Sequence, residues 1–402
     1  MTARAQAGKV LMVSQYLHMG GLERMILNLS SALKDGGAWE PSVFVFDRLP
    51  GAAPDNDLGP DFAAAGVAVF SFPKEPGFSF RTVLRLRRAL IEGGVSVLHT
   101  HDLGALIYGA CAKLLCFGRV RLVHTQHSFV HLSRRRAYAL YERLFTSFAD
   151  AIAVVSPDTR RIYEGLGVPA AKVHLIPNGV RFPERAAPDA SEKARARAEL
   201  LGSLEPAARA ALKPLAASRW ILYLARLHRV KGQDRALEVW ARLRADARAR
   251  CALVFVGPES EAGALDRLKG GIAQAPDAVR VAYAGTTRRP EAWLSAADLS
   301  LSCSEFEGLP LGPIEAAGAG LPLVLSDIPG HEAAAAWGER YPLRDADAGA
   351  RAVERVLAQL ESGGAPLAER LRGHAADARS RYSLAAMGEA YSKLYSPEAV
   401  AS

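Results

Sequence analysis

The feature that most constrains the fold is an alternation of short β-branched runs with helical stripes, which occurs twice along the chain. The first series runs from residues 10–13 to residues 173–176, and the second begins at residues 220–224. Strands that alternate with helices form a parallel sheet with helices on both faces. The 402 residues are enough for two such domains. We therefore predict two doubly wound α/β domains in tandem.

The interval between the two series differs in composition. Residues 183–218 are rich in Ala, Arg, Glu and Pro and show no strand pattern, so we interpret them as a linker with surface helices. The other predicted segments are a Rossmann-like domain over 1–182, a second over 219–380 and a final helix over 381–402. Open sheets of this kind bind ligands at the carboxyl ends of their strands, so we expect the site in the cleft between the domains.

Charge and hydropathy narrow the classes of protein. The net charge is +8, but the basic residues are spread along helices and form no nucleic-acid-binding motif, so no nucleic-acid partner is expected. No apolar run approaches the roughly 18 residues that span a bilayer. The N-terminal apolar stretch at 10–13 is too short for a signal peptide. We expect a cytoplasmic protein whose four cysteines are buried thiols.

The strongest chemical signal is the segment 304–315, Ser-Glu-Phe-Glu-Gly-Leu-Pro-Leu-Gly-Pro-Ile-Glu. It follows a predicted strand and opens a helix whose first N–H groups can bind phosphate. Glu307 can reach a sugar ring from the loop, and Glu315 can accept both hydroxyls of a ribose. The alternative, a capped helix with surface glutamates, does not explain the whole string. The other predicted ligand-binding residues of this segment are Gly308, Leu309, Pro310 and Leu311.

A second signal is a pair of cations in the loop after residues 220–224. Arg226 and Lys231 stand at the carboxyl end of the predicted strand and beside a helix start. Two cations there fit a diphosphate and can stabilise the charge that builds on a leaving group. Solvated loop cations are the alternative, which the position at the ligand-binding end of the sheet disfavours.

The N-terminal half carries weaker signals. Gly20 and Gly21 lie between the first strand and the first helix, where the backbone can approach an anion. Histidines follow two neighbouring strands. The pairs are His99 with His101, and His124 with His127, and we predict that His101 and His127 are functional whereas the others pack in the core.

Together these motifs resemble glycosyltransferase family 4, whose fold is called GT-B and consists of two Rossmann-like domains facing across a cleft. The resemblance covers most of the chain. It implies a retaining enzyme that uses a nucleotide-diphosphate sugar and needs neither a bound metal nor a cofactor. The matching positions are Gly20-Gly21-x-x-Arg24, His101, His127, residues 154–156 and 176–180, Arg226-x4-Lys231-Gly232, Val256-Gly257 and Glu307-x7-Glu315-Ala316.

The resemblance implies roles for the matching residues. Arg226 and Lys231 hold the donor phosphates, and Glu315 binds the ribose. Glu307 contacts the transferred sugar and His127 lies near the anomeric carbon, so Glu307, His127, Arg226 and Lys231 form the implied catalytic set. The remaining donor-site residues are Gly20, Gly21, Gly257 and residues 308–311, and the acceptor-site residues are His101, Arg24 and Arg134. The final helix is implied to cross back to the N-terminal domain.

Two apolar stripes with neighbouring arginines bear on the acceptor. The first joins Phe80, Val83, Leu84 and Ile91 with Arg81, Arg85 and Arg88, and the second joins Tyr141, Leu144, Phe145 and Phe148 with residues 134–136. Such helices lie on anionic membranes, although ordinary packing on a sheet is the alternative. We hypothesise a saccharide or lipid-linked saccharide acceptor, used in bacterial envelope or exopolysaccharide synthesis at the inner face of the membrane.

Several alternatives stay open or are set aside. A GT-B-fold nucleotide-sugar epimerase and a non-catalytic sugar-nucleotide-binding protein both stay open. An NAD-dependent oxidoreductase is disfavoured because no G-x-G-x-x-G follows a strand. Asp-x-Asp occurs at 55–57 and 345–347, away from the strand ends that matter, so no metal site is predicted.

Overall fold

The computed structural model describes residues 7–17, 21–47, 58–127 and 136–396. The chain divides into two compact units, Met1–Gly179 together with Leu384–Ser402, and Val180–Ser383. Each unit is built on one parallel sheet with helices, which confirms the prediction of two doubly wound α/β domains.

The described residues of the first unit form seven parallel strands. They are β1 (Gly8–Ser14), β2 (Trp39–Val45), β3 (Ala68–Ser71), β4 (Val97–His101), β5 (Arg121–Gln126), β6 (Ala151–Val154) and β7 (Val173–Leu175). Their order in the sheet is β3-β2-β1-β4-β5-β6-β7. The described helices are α1 (Gly21–Asp35), α2 (Gly59–Ala64), α3 (Phe80–Glu92), α4 (Asp102–Leu115), α5 (Arg136–Thr146) and α6 (Pro157–Gly165), with a 3-10 turn at Ala170–Lys172.

Strand β1 shows why the central strands are continuously apolar. Val10 and Met12 pack into the core on one side of the sheet, whereas Leu11 and Val13 pack into the core on the other side. A parallel strand buried on both faces needs apolar residues at every position. Helix α1 buries one stripe, which includes Met25, Ile26, Leu29 and Leu33.

The last helix, α16 (Leu384–Tyr395), belongs to the first unit. Tyr391 and Tyr395 are fully buried there, and the Trp39 indole N–H donates to the Ser392 hydroxyl at 2.9 Å. The rings of Trp39 and Tyr395 meet edge to face, with centroids 5.1 Å apart. The helix is therefore a part of the core of this unit.

The second unit contains six parallel strands. They are β8 (Arg219–Leu224), β9 (Cys251–Val256), β10 (Val281–Tyr283), β11 (Leu299–Ser302), β12 (Leu323–Asp327) and β13 (Gly338–Pro342), in the sheet order β10-β9-β8-β11-β12-β13. The helices are α7 (Ala190–Ser203), α8 (Pro206–Leu212), α9 (Gln233–Arg242), α10 (Ala245–Arg250), α11 (Ala264–Gln274), α12 (Pro290–Ala296), α13 (Leu311–Gly318), α14 (Ala346–Ser362) and α15 (Gly364–Tyr382). 3-10 turns cover Lys213–Leu215, Arg229–Lys231, Ala278–Arg280 and Pro329–Trp337.

The segment 183–218 is an integral part of the second unit, which corrects its interpretation as a linker. Leu200 on α7 and Leu212 on α8 are buried in the core of this unit. Arg197 is also buried, and its Nη2 donates to Asp298 Oδ2 at 2.5 Å. The interpretation was wrong because arginine-rich composition usually indicates an exposed segment, whereas the Arg197 side chain is buried and bonded to Asp298.

Candidate functional site

Two loops at the carboxyl ends of β8 and β11, which are neighbours in the second sheet, form one site. Lys231 Nζ donates to Glu307 Oε2 at 2.6 Å. A backbone hydrogen bond of 2.8 Å from Glu305 N to Val230 O joins the same two loops. The two strongest motifs of the sequence, more than seventy positions apart in the chain, therefore meet at the edge of the sheet where α/β folds bind ligands.

The carboxylate of Glu307 is held from both sides. Ser304 Oγ donates to Glu307 Oε1 at 2.7 Å, while Lys231 occupies the other oxygen. The carbonyl of Ser304 in turn accepts from Ser326 Oγ at 2.7 Å, and His331 Nδ1 lies 2.7 Å from the Ser326 carbonyl oxygen. Because Glu307 is only about one-tenth exposed and each of its oxygens has a partner, its orientation is fixed by the protein.

Sequence reasoning missed this supporting layer. Ser304, Ser326 and His331 are all buried, and burial lowers the pKa of His331. Gly330 also matters, because a Cβ there would lie 2.3 Å from the carbonyl oxygen of Glu307. Only Ser304 gave a usable signal, since it stands three residues before Glu307.

Arg226 and Lys231 have different surroundings. The Arg226 side chain is exposed, and no carboxylate among the described residues pairs with it. Its carbonyl oxygen accepts from Gln233 Nε2 at 2.8 Å, which ties the loop to α9. Gly232 has φ +70°, and a Cβ there would lie 2.2 Å from the Cys303 carbonyl oxygen. This close approach allows Lys231 to reach Glu307, while Arg226 keeps its charge available for an anion.

Gly257, which follows β9, supports the same loop. Its φ is +147°, and a Cβ would lie 2.1 Å from the carbonyl oxygen of Ala225. Its N–H donates to the Gly285 carbonyl oxygen at 2.9 Å. The glycine is thus required for the path of the backbone next to Arg226.

Helix α13 begins at Leu311, directly after the Glu307 loop. Leu309 and Leu311 pack against the core of the second unit, and Gly308 is exposed with open space where a Cβ would lie. Glu315 is half-buried one turn into the helix. The N–H groups of the first turn give this end of α13 a partial positive charge beside Lys231 and Glu307.

In the first unit, His101 and His127 form a hydrogen-bonded pair at the carboxyl ends of β4 and β5. His101 Nδ1 lies 3.1 Å from His127 Nε2, and the backbone N–H of His127 donates to Asp102 Oδ1 at 3.3 Å. Burial lowers the pKa of His127 to about 4, against the opposing charge of Asp102. Burial also holds the pKa of His101 well below 6.5. Both rings are therefore neutral at pH 7.

His99 belongs to the core, as predicted. Its Nδ1 lies 2.7 Å from the Tyr395 hydroxyl, and its Nε2 lies 2.7 Å from Thr125 Oγ1, which is 3.0 Å from the Tyr391 hydroxyl. The ring of His99 also packs against the ring of His101, with centroids 4.1 Å apart. The last helix therefore reaches His99 directly through the Tyr395 hydroxyl and indirectly, by way of Thr125, through the Tyr391 hydroxyl.

Only some of the other predicted positions of the first unit lie among the described residues. Gly20, Arg134 and the 55–57 motif lie outside the described residues. Gly21 is exposed at the start of α1, and Arg24 is half-buried within it. In the second unit, the 345–347 motif serves the fold, because Asp345 caps α14 by accepting from the Ala348 N–H at 2.8 Å.

Helices α3, α4 and α5 expose large apolar side chains, and α4 packs against both neighbours. The exposed residues are Phe80, Leu84, Ile91, Leu114, Leu140, Tyr141 and Leu144, and Phe117 is exposed just after α4. The predicted stripes are therefore only partly exposed, because Val83 is buried and Phe145 and Phe148 pack against the core. Among the residues that the structure describes, no helix has the length and apolarity required to cross a bilayer.

Comparisons with known proteins identify related sequences. The model for Glycosyltransferase Family 4 matches residues 19–182, and the model for Glycosyl transferases group 1 matches residues 218–359. The putative glycosyltransferase EpsF of Bacillus subtilis (strain 168) is 27% identical over 327 residues, which are 79% of each protein.

Solved structures have the same GT-B fold. The structure of Anabaena Alr3699/HepE in complex with UDP has a TM-score of 0.77 at 16% identity and covers 96% of this chain and 99% of that chain. The sucrose-phosphate synthase of Thermosynechococcus elongatus has a TM-score of 0.70 at 20% identity and covers 98% and 100%.

Proposed function

The chain belongs to glycosyltransferase family 4, and from that premise we propose that it is a retaining enzyme that transfers a sugar from a nucleotide-diphosphate sugar to an acceptor hydroxyl. The observation that carries the proposal is the 2.6 Å ion pair between Lys231 and Glu307. It joins a cation suited to the donor phosphates with a carboxylate suited to the sugar hydroxyls. A similar structure, Anabaena Alr3699/HepE, was solved with UDP-glucose, which supports a nucleotide sugar as the donor.

The proposed leaving group is the nucleotide diphosphate. Arg226, Lys231 and the N-terminus of α13 supply positive charge at one edge of the second sheet. Such preorganised charge stabilises the negative charge that develops on the phosphate oxygen. We propose that these groups take the place of a divalent ion, and that Glu315 binds the ribose.

In the proposed reaction the bond from C1 of the sugar to the phosphate oxygen breaks, and its electrons remain on the phosphate. The acceptor oxygen bonds to C1 on the same face, and its proton passes to the departing phosphate. Glu307 is not the nucleophile of this scheme. Ser304 and Lys231 each hold one of its oxygens, and each oxygen keeps a second lone pair that can accept from a sugar hydroxyl. Its role is to accept hydrogen bonds from the sugar, and His127 is proposed as a further catalytic residue.

The donor is to be identified by a thermal-shift screen of nucleotide sugars, since a ligand that binds the folded state raises the melting temperature. Transfer is then followed as nucleotide release with and without saccharide acceptors. We expect Glu307→Gln to lower kcat at least about 100-fold and Arg226→Ala to raise KM for the donor. Arg229→Ala is the matched control, because Arg229 is on the same loop, 74% exposed and paired with Glu261.

Three outcomes would contradict the proposal. Near wild-type transfer by Glu307→Gln and by Arg226→Ala together with Lys231→Ala would mean that the site is elsewhere. Conversion of the nucleotide sugar without an acceptor would indicate the epimerase. Binding without transfer or hydrolysis across acceptors would indicate a non-catalytic sugar-nucleotide-binding protein.

For the acceptor, we propose a lipid-linked saccharide reached from the cytoplasmic surface of an anionic membrane. Helices α3, α4 and α5 expose large apolar residues, and α3 also exposes Arg81 and Arg88. This combination is typical of helices that bind anionic lipid surfaces. Flotation with anionic vesicles at low salt should recover the protein, and Leu140→Glu with Leu144→Glu should abolish that recovery. An absence of flotation by the wild-type protein would contradict the membrane part of the proposal.

A further inference from the structure

We propose that His101 is a positioning residue that fixes the tautomer of His127, donating its Nδ1–H to His127 Nε2 so that His127 presents Nδ1–H as a hydrogen-bond donor. The inference concerns the ring that the proposed function places in the transfer reaction, and it rests on that function only for its catalytic consequence. The observation behind it is the 3.1 Å contact between these two nitrogens.

A single proton lies between the two rings. Both histidines are neutral at pH 7 because burial lowers the pKa of each. A neutral imidazole has one N–H and one acceptor nitrogen, so one ring must donate and the other accept. The tautomer of one ring therefore determines the tautomer of the other.

The direction of the bond follows from the second nitrogen of His101. His101 is 1% exposed, and its Nε2 has no hydrogen-bond partner among the described residues. If His101 accepted at Nδ1, its proton would be on Nε2 and would form a buried, unpaired N–H, which proteins rarely contain. If His101 donates from Nδ1, Nε2 is an unpaired acceptor, which is the more tolerated state. Donation from His101 to His127 is therefore favoured.

The surroundings of His127 agree with this assignment. Its Nε2 is used by His101, whereas its Nδ1 makes no hydrogen bond to a described residue in a side chain that is partly exposed. Asp102, which accepts the backbone N–H of His127, exerts an electrostatic pull that favours a proton on this ring. The free nitrogen is thus the one that carries the proton.

The pair has a further support within the same unit. His99 packs against His101 and is held at both nitrogens, by Tyr395 and by Thr125. His101 therefore cannot turn without displacing a ring that is hydrogen-bonded on both sides. The consequence for catalysis is that His127 acts as a neutral hydrogen-bond donor to a substrate oxygen and does not act as a general base.

Nitrogen NMR tests the assignment without reference to activity. In protein labelled with 15N-histidine, long-range proton–nitrogen correlations distinguish the two tautomers, and loss of a signal in His127→Gln identifies His127. We expect Nδ1–H for His127 in the wild type and in His101→Asn, whose amide N–H can replace the Nδ1 donor. His101→Asp offers only an acceptor at that position, so His127 should carry its proton on Nε2. Nε2–H in the wild-type protein would overturn the proposal.

Kinetics then tests the consequence once transfer is measurable. We expect His101→Asn to retain at least about tenfold more kcat than His101→Asp, equivalent to about 1.4 kcal/mol, with a similar KM for the donor in both. Urea unfolding of both variants provides the control for folding. Equal loss of kcat in two variants that remain folded would overturn the role of the tautomer. If no transfer is found for any acceptor, the proposed function fails, whereas the NMR result still decides the hydrogen-bond assignment.

Discussion

Replacing Asp298 by Asn should selectively destabilise the second unit. Asp298 is 7% exposed and accepts from Arg197 Nη2 at 2.5 Å and from the Trp220 backbone N–H at 2.8 Å, with Lys193 Nζ 3.3 Å away. Although burial opposes it, the charges of Lys193 and Arg197 hold the pKa of Asp298 below its usual value. Asn can still accept from Trp220 but leaves the buried Arg197 without a counter-charge.

Loss of one partner of a buried ion pair costs about 3–5 kcal/mol. We expect the lower value, about 3 kcal/mol, because Arg197 and Trp220 both donate to Oδ2, where the amide oxygen of Asn can still accept. In a unit of this size, 1 kcal/mol corresponds to roughly 2–4 °C, so the melting temperature should fall by about 6–12 °C. The donor KM should not change, because Asp298 precedes β11 whereas Glu307 follows it.

Urea unfolding followed by tryptophan fluorescence is the appropriate assay. Four of the five tryptophans, Trp220, Trp240, Trp293 and Trp337, are in the second unit, so the signal reports mainly on that unit. Asp246→Asn is the matched control, because Asp246 pairs with Arg244 but is 54% exposed. If Asp298→Asn unfolded at the same urea concentration as Asp246→Asn, the buried pair of Arg197 and Asp298 would not stabilise the second unit.

Three other predictions test the packing around the candidate sites. Tyr395→Phe should lower the free energy of unfolding by about 1–3 kcal/mol in urea, because a buried nitrogen of His99 loses its partner. The first unit should lose stability as the pH falls from 6.5 to about 4, because His127 stays neutral in the folded protein whereas it is protonated in the unfolded chain. Melting temperatures measured against pH check this, and they should depend less on pH in His127→Gln. Gly257→Ala should lower the free energy of unfolding by at least about 2 kcal/mol and weaken donor binding in a thermal-shift titration. Gly202→Ala in α7 is the control, because a Cβ there meets nothing within 4 Å, and it should leave the stability unchanged or slightly raised.

Much of the fold and part of the site followed from local patterns in the sequence. Apolar runs at 10–13 and 220–224 indicated buried parallel strands. Loops that end neighbouring parallel strands must lie at one edge of the sheet, which is why Lys231 and Glu307 could be placed together.

What the sequence did not reveal depends on contacts between distant residues. Arg197 reads as a surface residue until Asp298 is placed beside it, because nothing local to α7 signals a partner so far along the chain. His101 and His127 could be singled out, but the direction of their hydrogen bond requires the unpaired Nε2. Ser326 and His331 support Glu307 from another loop, and no short motif connects them with it.

The place of α16 in the first unit has a consequence for the order of synthesis. A ribosome produces β1 to β7 first and then the whole of Val180–Ser383 before residues 384–395 emerge. Until then the nascent first unit lacks Tyr391 and Tyr395, so Thr125 and His99 have no hydroxyl partners from the last helix. Domains usually fold in the order of translation. Here the N-terminal unit is completed last, and a stop codon shortly before residue 384 would leave its histidine cluster open to water.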